Sequence, residues 1–223
     1  MALASDTIHE GFVDFEVKSI SKACQTYYKV IGNLRPGTRP LIALHGGPGA
    51  SHDYIEILAD ITRGRPGPLI LSDQIGNAQS THLPDKMGDV EFWSVHLFVD
   101  ELNNLTTKLG IDEYDLLGHS WGGMLAAEVA IRQPPGLKKL VLASSPASMI
   151  LFVEAQNVFR SKLPEDIRKV LDKFEEDGID TPEYQAAVQF YYARHLCLIS
   201  PMPEGLTKAF GWIEKDPTVY LTM

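Results

Sequence analysis

Gly118-His119-Ser120-Trp121-Gly122-Gly123, entered from the apolar run Tyr114-Asp115-Leu116-Leu117, decides how this chain is read. It is a G-x-S-x-G segment at the end of a strand pattern and the start of a helix pattern. Small residues on both sides of the serine allow the sharp strand-to-helix turn that lifts its hydroxyl clear of a sheet. The helix start also turns backbone N–H groups toward a developing negative oxygen. The competing assignment for Ser120 is a helix-capping serine in a glycine-rich turn. The strand–turn–helix setting favours a nucleophile.

The flanking pattern alternates strands with helices. Phe12 to Lys18 and Gln25 to Ile31 read as a hairpin. Leu41-Ile42-Ala43-Leu44 and Leu69-Ile70-Leu71 are short apolar runs of the kind a buried parallel strand shows. Ser51 to Ile61 reads as a helix with Ser51 as its N-cap. Phe92, Val95, Val99, Leu102, Leu105 and Leu109 recur at helical spacing up to a stop at Gly110. A helix from Gly122 to Gln133 and a strand Leu140-Val141-Leu142-Ala143 complete the series. The expected fold is α/β, a mostly parallel sheet with helices on both faces. Beyond residue 148 strand signals stop, and helices are expected over 150–162, 164–177 and 182–199. Pro164, Pro182, Thr181 and Gly178 punctuate them. The division expected is a core over 1–148 and a helical cap over 149–223.

Composition narrows the function classes. The chain has 223 residues, 44% of them apolar and 22% charged, with a net charge of −9. That balance disfavours nucleic acid and anionic membranes as partners. No apolar run reaches the ~18 residues of a membrane span. Met1 to Asp6 has no basic n-region, so no secretory leader is expected and the cytoplasm is the expected compartment. Cys24 and Cys197 are expected to be free thiols. No metal spacing and no cofactor motif is visible, and nothing in the composition fixes an oligomeric state.

Other candidate residues surround the serine. His45-Gly46-Gly47-Pro48-Gly49 follows the first buried strand; its glycines permit close backbone approach and Pro48 stiffens it. A loop here supplies one N–H to an oxyanion, assigned to Gly47, and the residue after the nucleophile, Trp121, supplies the other. The alternatives are a plain tight turn or a phosphate loop, the latter disfavoured by the absence of G-K-[ST]. Asp73 precedes Ser120 in the chain and is expected to hold neighbouring loop amides. His195, the single histidine after Ser120, sits in a helical pattern and reads as a packed or surface residue. His45 and His119 are expected to support the site rather than react.

His45-Gly46-Gly47-Pro48-Gly49, Ser51-His52-Asp53-Tyr54, Asp73-Gln74-x-Gly76 and Gly118-His119-Ser120-Trp121-Gly122-Gly123 together resemble the proline iminopeptidase family of α/β-hydrolases. The segment from Thr181 to Leu196 is similar to that family's helical cap. The resemblance implies Ser120 as nucleophile, Gly47 and Trp121 as oxyanion donors, and no cofactor. It implies release of an N-terminal residue, often proline, from a short peptide or amino-acid amide. Two positions depart from the family pattern, with Ile75 in place of an arginine and Ala78 in place of a glycine. Members of the family continue into further cap and sheet segments that carry the triad aspartate and histidine. Those residues have no matching position here, so an incomplete chain is expected. The rival expectations are an esterase or other α/β-hydrolase, and an inactive chain lacking its base.

Overall fold

The computed structural model describes residues 7–62 and 67–223; the segment 1–6, read above for targeting signals, lies outside them. Six strands form one sheet: β1 (Ile8–Phe15), β2 (Cys24–Ile31), β3 (Leu41–Leu44), β4 (Leu69–Ser72), β5 (Tyr114–His119) and β6 (Leu137–Ala143). Their order is β1-β2-β4-β3-β5-β6. β1 pairs antiparallel with β2, and β2 with β4. β4, β3, β5 and β6 run parallel. The helices between them are α1 (Ala59–Thr62), α2 (Val95–Lys108) and α3 (Trp121–Ile131).

The two sheet faces explain the continuous apolar runs of β3 and β4. Ile42, Leu44, Ile70 and Leu116 point into one cluster with Phe98, Val99 and Leu102 of α2 and Leu125, Ala126 and Val129 of α3. Their neighbours Leu41, Ala43, Leu69, Leu71 and Leu117 point the other way, onto Ile55 and Ala59. A strand buried on both faces has no polar side to show, so alternation disappears from its sequence. The expected fold class is what the structure has.

Several boundaries shift. The stretch expected as one helix from Ser51 is a 3₁₀ helix, His52–Leu58, running into the short α1. Ser51 caps it as expected, its side chain accepting from Asp53 N–H. β6 begins at Leu137 rather than Leu140. It is an edge strand, and Lys138 and Lys139 break the apolar run; Lys139 pairs with Asp115, while Lys138 falls at an irregularity of the register. Its Val141 and Leu142 are about half exposed, at 47% and 51%. An edge strand with bare apolar side chains is a template for further pairing.

The chain forms two compact units, one of residues 1–145 with 205–223 and one of 146–204. The second contains α4 (Met149–Ser161), α5 (Glu165–Asp177) and α6 (Pro182–His195). Thr181 caps α6 by accepting from Tyr184 N–H, and Gly178 ends α5 in the left-handed conformation. α7 (Glu204–Lys215) and α8 (Thr218–Thr222) contain the rest. The sequence division at 148 ran the helical cap on to 223, whereas residues 205–223 pack with the first unit. Val219 is fully buried in the sheet's cluster. His82 Nδ1 lies 2.5 Å from Asp216 Oδ2, and the hydroxyl and N–H of Thr218 donate to Asp216 Oδ1. The helices expected over 150–162, 164–177 and 182–199 correspond to α4, α5 and α6, the last ending at His195, whereas α7 and α8 were not read from the sequence.

One buried acid lies in the apolar stripe of α2. Glu101 is 3% exposed and accepts from Thr26 Oγ1 at 2.5 Å and from Ile75 N–H at 2.9 Å. Its partners are neutral groups. Burial pushes its carboxyl from 4.5 up to about 7; the Thr26 and Ile75 donors oppose that rise and the Asp73 charge adds to it. An acid whose folded pKa lies above its unfolded one stabilises the fold below the unfolded value, and that stabilisation is lost as pH rises through the folded value. Stability of the chain is therefore expected to fall between pH 5 and pH 8. A displacement from 4.5 to about 7 corresponds to about 3 kcal/mol as an upper bound. Urea melts across this range check it: Glu101→Gln, which keeps an acceptor for Ile75, should flatten most of the decline. The bare β6 edge gives a second expectation, concentration-dependent self-association in light scattering that Val141→Lys reduces.

Candidate active site

The turn between β5 and α3 has the geometry its sequence requires. Ser120 has φ 55° and ψ −122°. A non-glycine residue in that region is strained and is held there only by its surroundings. Ser120 N–H donates to Ala143 O on β6, and Ser120 O accepts from Gly123 N–H. The serine occupies the N-cap position of α3, yet its side chain makes no capping bond. That removes the capping assignment and leaves a half-exposed hydroxyl on a strained turn. Gly122 explains the tightness of the turn: a β-carbon there would stand 2.3 Å from Leu44 O and 2.5 Å from His45 O.

The loop after β3 lies against this turn. A β-carbon on Gly46 would stand 3.0 Å from Ser120 Cβ, so loop and serine are in contact. Gly47 has φ 116°, and the Gly47–Pro48 peptide is cis. Tyr220 of α8 packs on Gly49, with its Cβ 2.9 Å from where a β-carbon of Gly49 would be. Trp121 N–H is at the first position of α3, where no helical carbonyl precedes it to accept. His45, Gly46, Gly47, Pro48, Gly49, Ser120 and Trp121 are thus brought together within the first unit.

Two histidines flank the serine, and their hydrogen bonds fix their protons. Gln74 N–H donates to His45 Nε2 at 3.0 Å, so Nε2 is unprotonated and Nδ1–H donates to Gly46 O at 2.9 Å. Gly46 N–H donates to Tyr54 Oη at 2.7 Å, so the tyrosine hydroxyl donates to His119 Nδ1 at 2.8 Å. Burial lowers the pKa of both rings, with nearby Asp73 opposing it at His45. Burial also pushes Tyr54 up to about 12 against the Gly46 bond, keeping its proton in place. Each imidazole is neutral and each already uses its one accepting nitrogen. Neither is free to take a proton from Ser120, in line with the supporting role expected of them.

Asp73 makes the amide contacts expected of it. Its Oδ1 accepts from His52 N–H at 2.9 Å and pairs with His52 Nδ1 at 2.8 Å, and its Oδ2 accepts from Gln79 N–H. Burial disfavours charge on His52, but the Asp73 bond and charge outweigh it and the pKa rises. His195 lies in the second unit, exposed and stacked on Phe159 at 4.8 Å. Both cysteines are free thiols. Among the described residues, no helix is long and apolar enough to cross a membrane.

Sequence reasoning missed Tyr54, Glu101 and the role of Gln74. Tyr54 and Gln74 act across 65 and 47 residues of chain, which no local pattern carries. Glu101 had a signal: it falls three residues after Phe98 on the apolar stripe of α2, where a carboxylate is out of place.

Known proteins share this fold. The α/β hydrolase fold family matches residues 39–211. A proline iminopeptidase of Clostridioides difficile is 36% identical over 94% of this chain and 72% of its own length. One from Lactobacillus delbrueckii subsp. lactis is 36% identical over 82% of this chain. The chain spans 63% of that relative's length. Among solved structures, VinJ superposes with a TM-score of 0.87 at 41% identity, covering 96% of this chain and 70% of VinJ. The proline iminopeptidase of Mycobacterium smegmatis gives 0.79 at 40% identity, covering 94% of this chain and 69% of its own. The chain belongs to the α/β-hydrolase fold family and, within it, to the proline iminopeptidase family.

Proposed function

We propose that this chain carries the nucleophile side of a serine aminopeptidase site, which releases an N-terminal residue, proline preferred, from short peptides or amino-acid amides. The observation that carries the proposal is Ser120, strained at φ 55° with no capping bond, in contact with the loop His45–Gly49. Ser120 Oγ attacks the carbonyl of the N-terminal residue, and the leaving amine departs from the tetrahedral intermediate to leave an acyl-enzyme that water resolves. Gly47 N–H and Trp121 N–H donate to the oxyanion in both steps. Gly46, Pro48 and Gly49 shape the loop that presents Gly47. The same reading gives the chain a cytoplasmic location and neither metal nor cofactor.

The reaction needs a base on Ser120. The accepting nitrogens of His45 and His119 are both taken, and His195 is the one histidine later in the chain. The proposal assigns the triad acid and histidine to sequence outside residues 1–223. Without them the serine is an unassisted, weak nucleophile, and its acylation is slow.

Slow turnover of a proline arylamide by the purified chain is the expected result, with none above buffer in Ser120→Ala. A free α-amino group should be preferred over an N-blocked substrate by at least ~10-fold in kcat/KM, about 1.4 kcal/mol of transition-state binding. Turnover that survives Ser120→Ala overturns the nucleophile. Equal cleavage of N-blocked esters turns the reading to an esterase. A rate at the buffer level in both proteins removes the activity from this chain by itself.

A further inference from the structure

We propose that Gln74 is a positioning residue that holds the two oxyanion-donating segments in register by bonding both of them. The proposal rests on the reading of Gly47 and Trp121 as oxyanion donors. Gln74 lies in the loop after β4, is 3% exposed, and touches each segment with a different group. Its side-chain Nε2 donates to His45 O at 3.1 Å, and its side-chain Oε1 accepts from Trp121 Nε1–H at 3.0 Å. Its backbone N–H donates to His45 Nε2 at 3.0 Å. One amide therefore ties the first residue of the loop His45–Gly49 to the first residue of α3.

The chemistry of the residue suits this task. The bond to His45 requires a donor and the bond to Trp121 requires an acceptor, and a carboxamide offers both on one rigid plane. A glutamate would lose the donor, and a leucine or methionine would lose both arms. The loop that carries Gln74 is itself held on both sides. Glu101 binds Ile75 N–H, and the Asp73 carboxylate binds His52 N–H and Gln79 N–H. Gln74 is thus a fixed point from which both donor segments are set, as an oxyanion site requires, since its donors must already be placed when charge develops.

The test follows both arms by NMR in the full chain. In Gln74→Met the Trp121 indole proton should exchange with solvent at least ~10-fold faster, as expected when a buried donor loses its acceptor. The backbone N–H resonances of Gly46, Gly47 and Trp121 should all shift, while those of β1 and β2 stay in place. Trp121→Phe keeps its backbone N–H and removes only the indole donor. It should shift Gly46 and Gly47 as well, and the double variant should add nothing further, the mark of one coupled unit. Unmoved Gly46, Gly47 and Trp121 resonances in Gln74→Met overturn the proposal. So does exchange that accelerates uniformly through β3, β4 and β5, which would make Gln74 an ordinary core residue. Proline arylamide turnover is read in parallel: kcat should fall ~10- to 100-fold with KM within about twofold, the pattern of misplaced transition-state donors. Intact NMR coupling with no wild-type turnover overturns the hydrolase activity of this chain and leaves the clamp standing.

Discussion

The carbonyls of Leu44 and His45 lie within 2.5 Å of where a β-carbon on Gly122 would stand, so α3 can meet the end of β3 only where residue 122 has no side chain. The rest of the site depends on that approach. It brings the loop after β3 against Ser120, and it lets β5 turn into α3 through that one residue. Ser120 absorbs the turn as backbone strain at φ 55°. The strain persists because the residue is bonded on both sides, by Ala143 O of β6 and by Gly123 N–H of α3. A strained serine in a loose setting would relax into an ordinary cap.

Burial then decides the charge state of each group around the serine. His45, buried, and His119, half-buried, are neutral because desolvation lowers both pKa values and each accepts one hydrogen bond and keeps one proton. Tyr54 links His119 to the loop, with Gly46 N–H on one side and His119 on the other. The pairing of Asp73 with His52 and the placing of Glu101 among neutral partners are two solutions around the same loop. The paired acid anchors amides, whereas the unpaired one is displaced toward neutrality. The arginine that the family resemblance implies at position 75 is a buried isoleucine here, and the Glu101 carboxylate meets that residue only through its backbone N–H.

The sheet and the elbow were legible because their constraints are local. The short apolar runs at β3 and β4, and glycines around Ser120, each answer to a neighbour a few residues away. β6 was read short because an edge strand tolerates Lys138 and Lys139. The assignment of 205–223 to the cap rests on the loss of strand signals after residue 148, which does not say which surface buries a segment. Val219, fully buried against the sheet's cluster, and Asp216, bonded to His82, make that assignment only through contacts more than a hundred residues apart. Tyr54 and Gln74 escaped for the same reason.

A hydrolase site of this kind is built from parts that must not move independently. The serine comes with β5, one candidate donor with α3, the other with the loop after β3, and the sheet fixes the strand ends but not the loop. β3 and β5 are paired through Leu44 and Gly118, one residue before the loop begins. Beyond that point the ladder can no longer set the distance between His45 and Ser120, and only side chains can. The Tyr54 hydroxyl and the Gln74 carboxamide both span that gap, one through His119 and one through Trp121, the residues on either side of the serine. Both are amphoteric groups that donate to one segment and accept from the other. An apolar residue would fill the same gap without fixing direction. The polar bridges are therefore where the sheet's precision passes to the candidate catalytic loop.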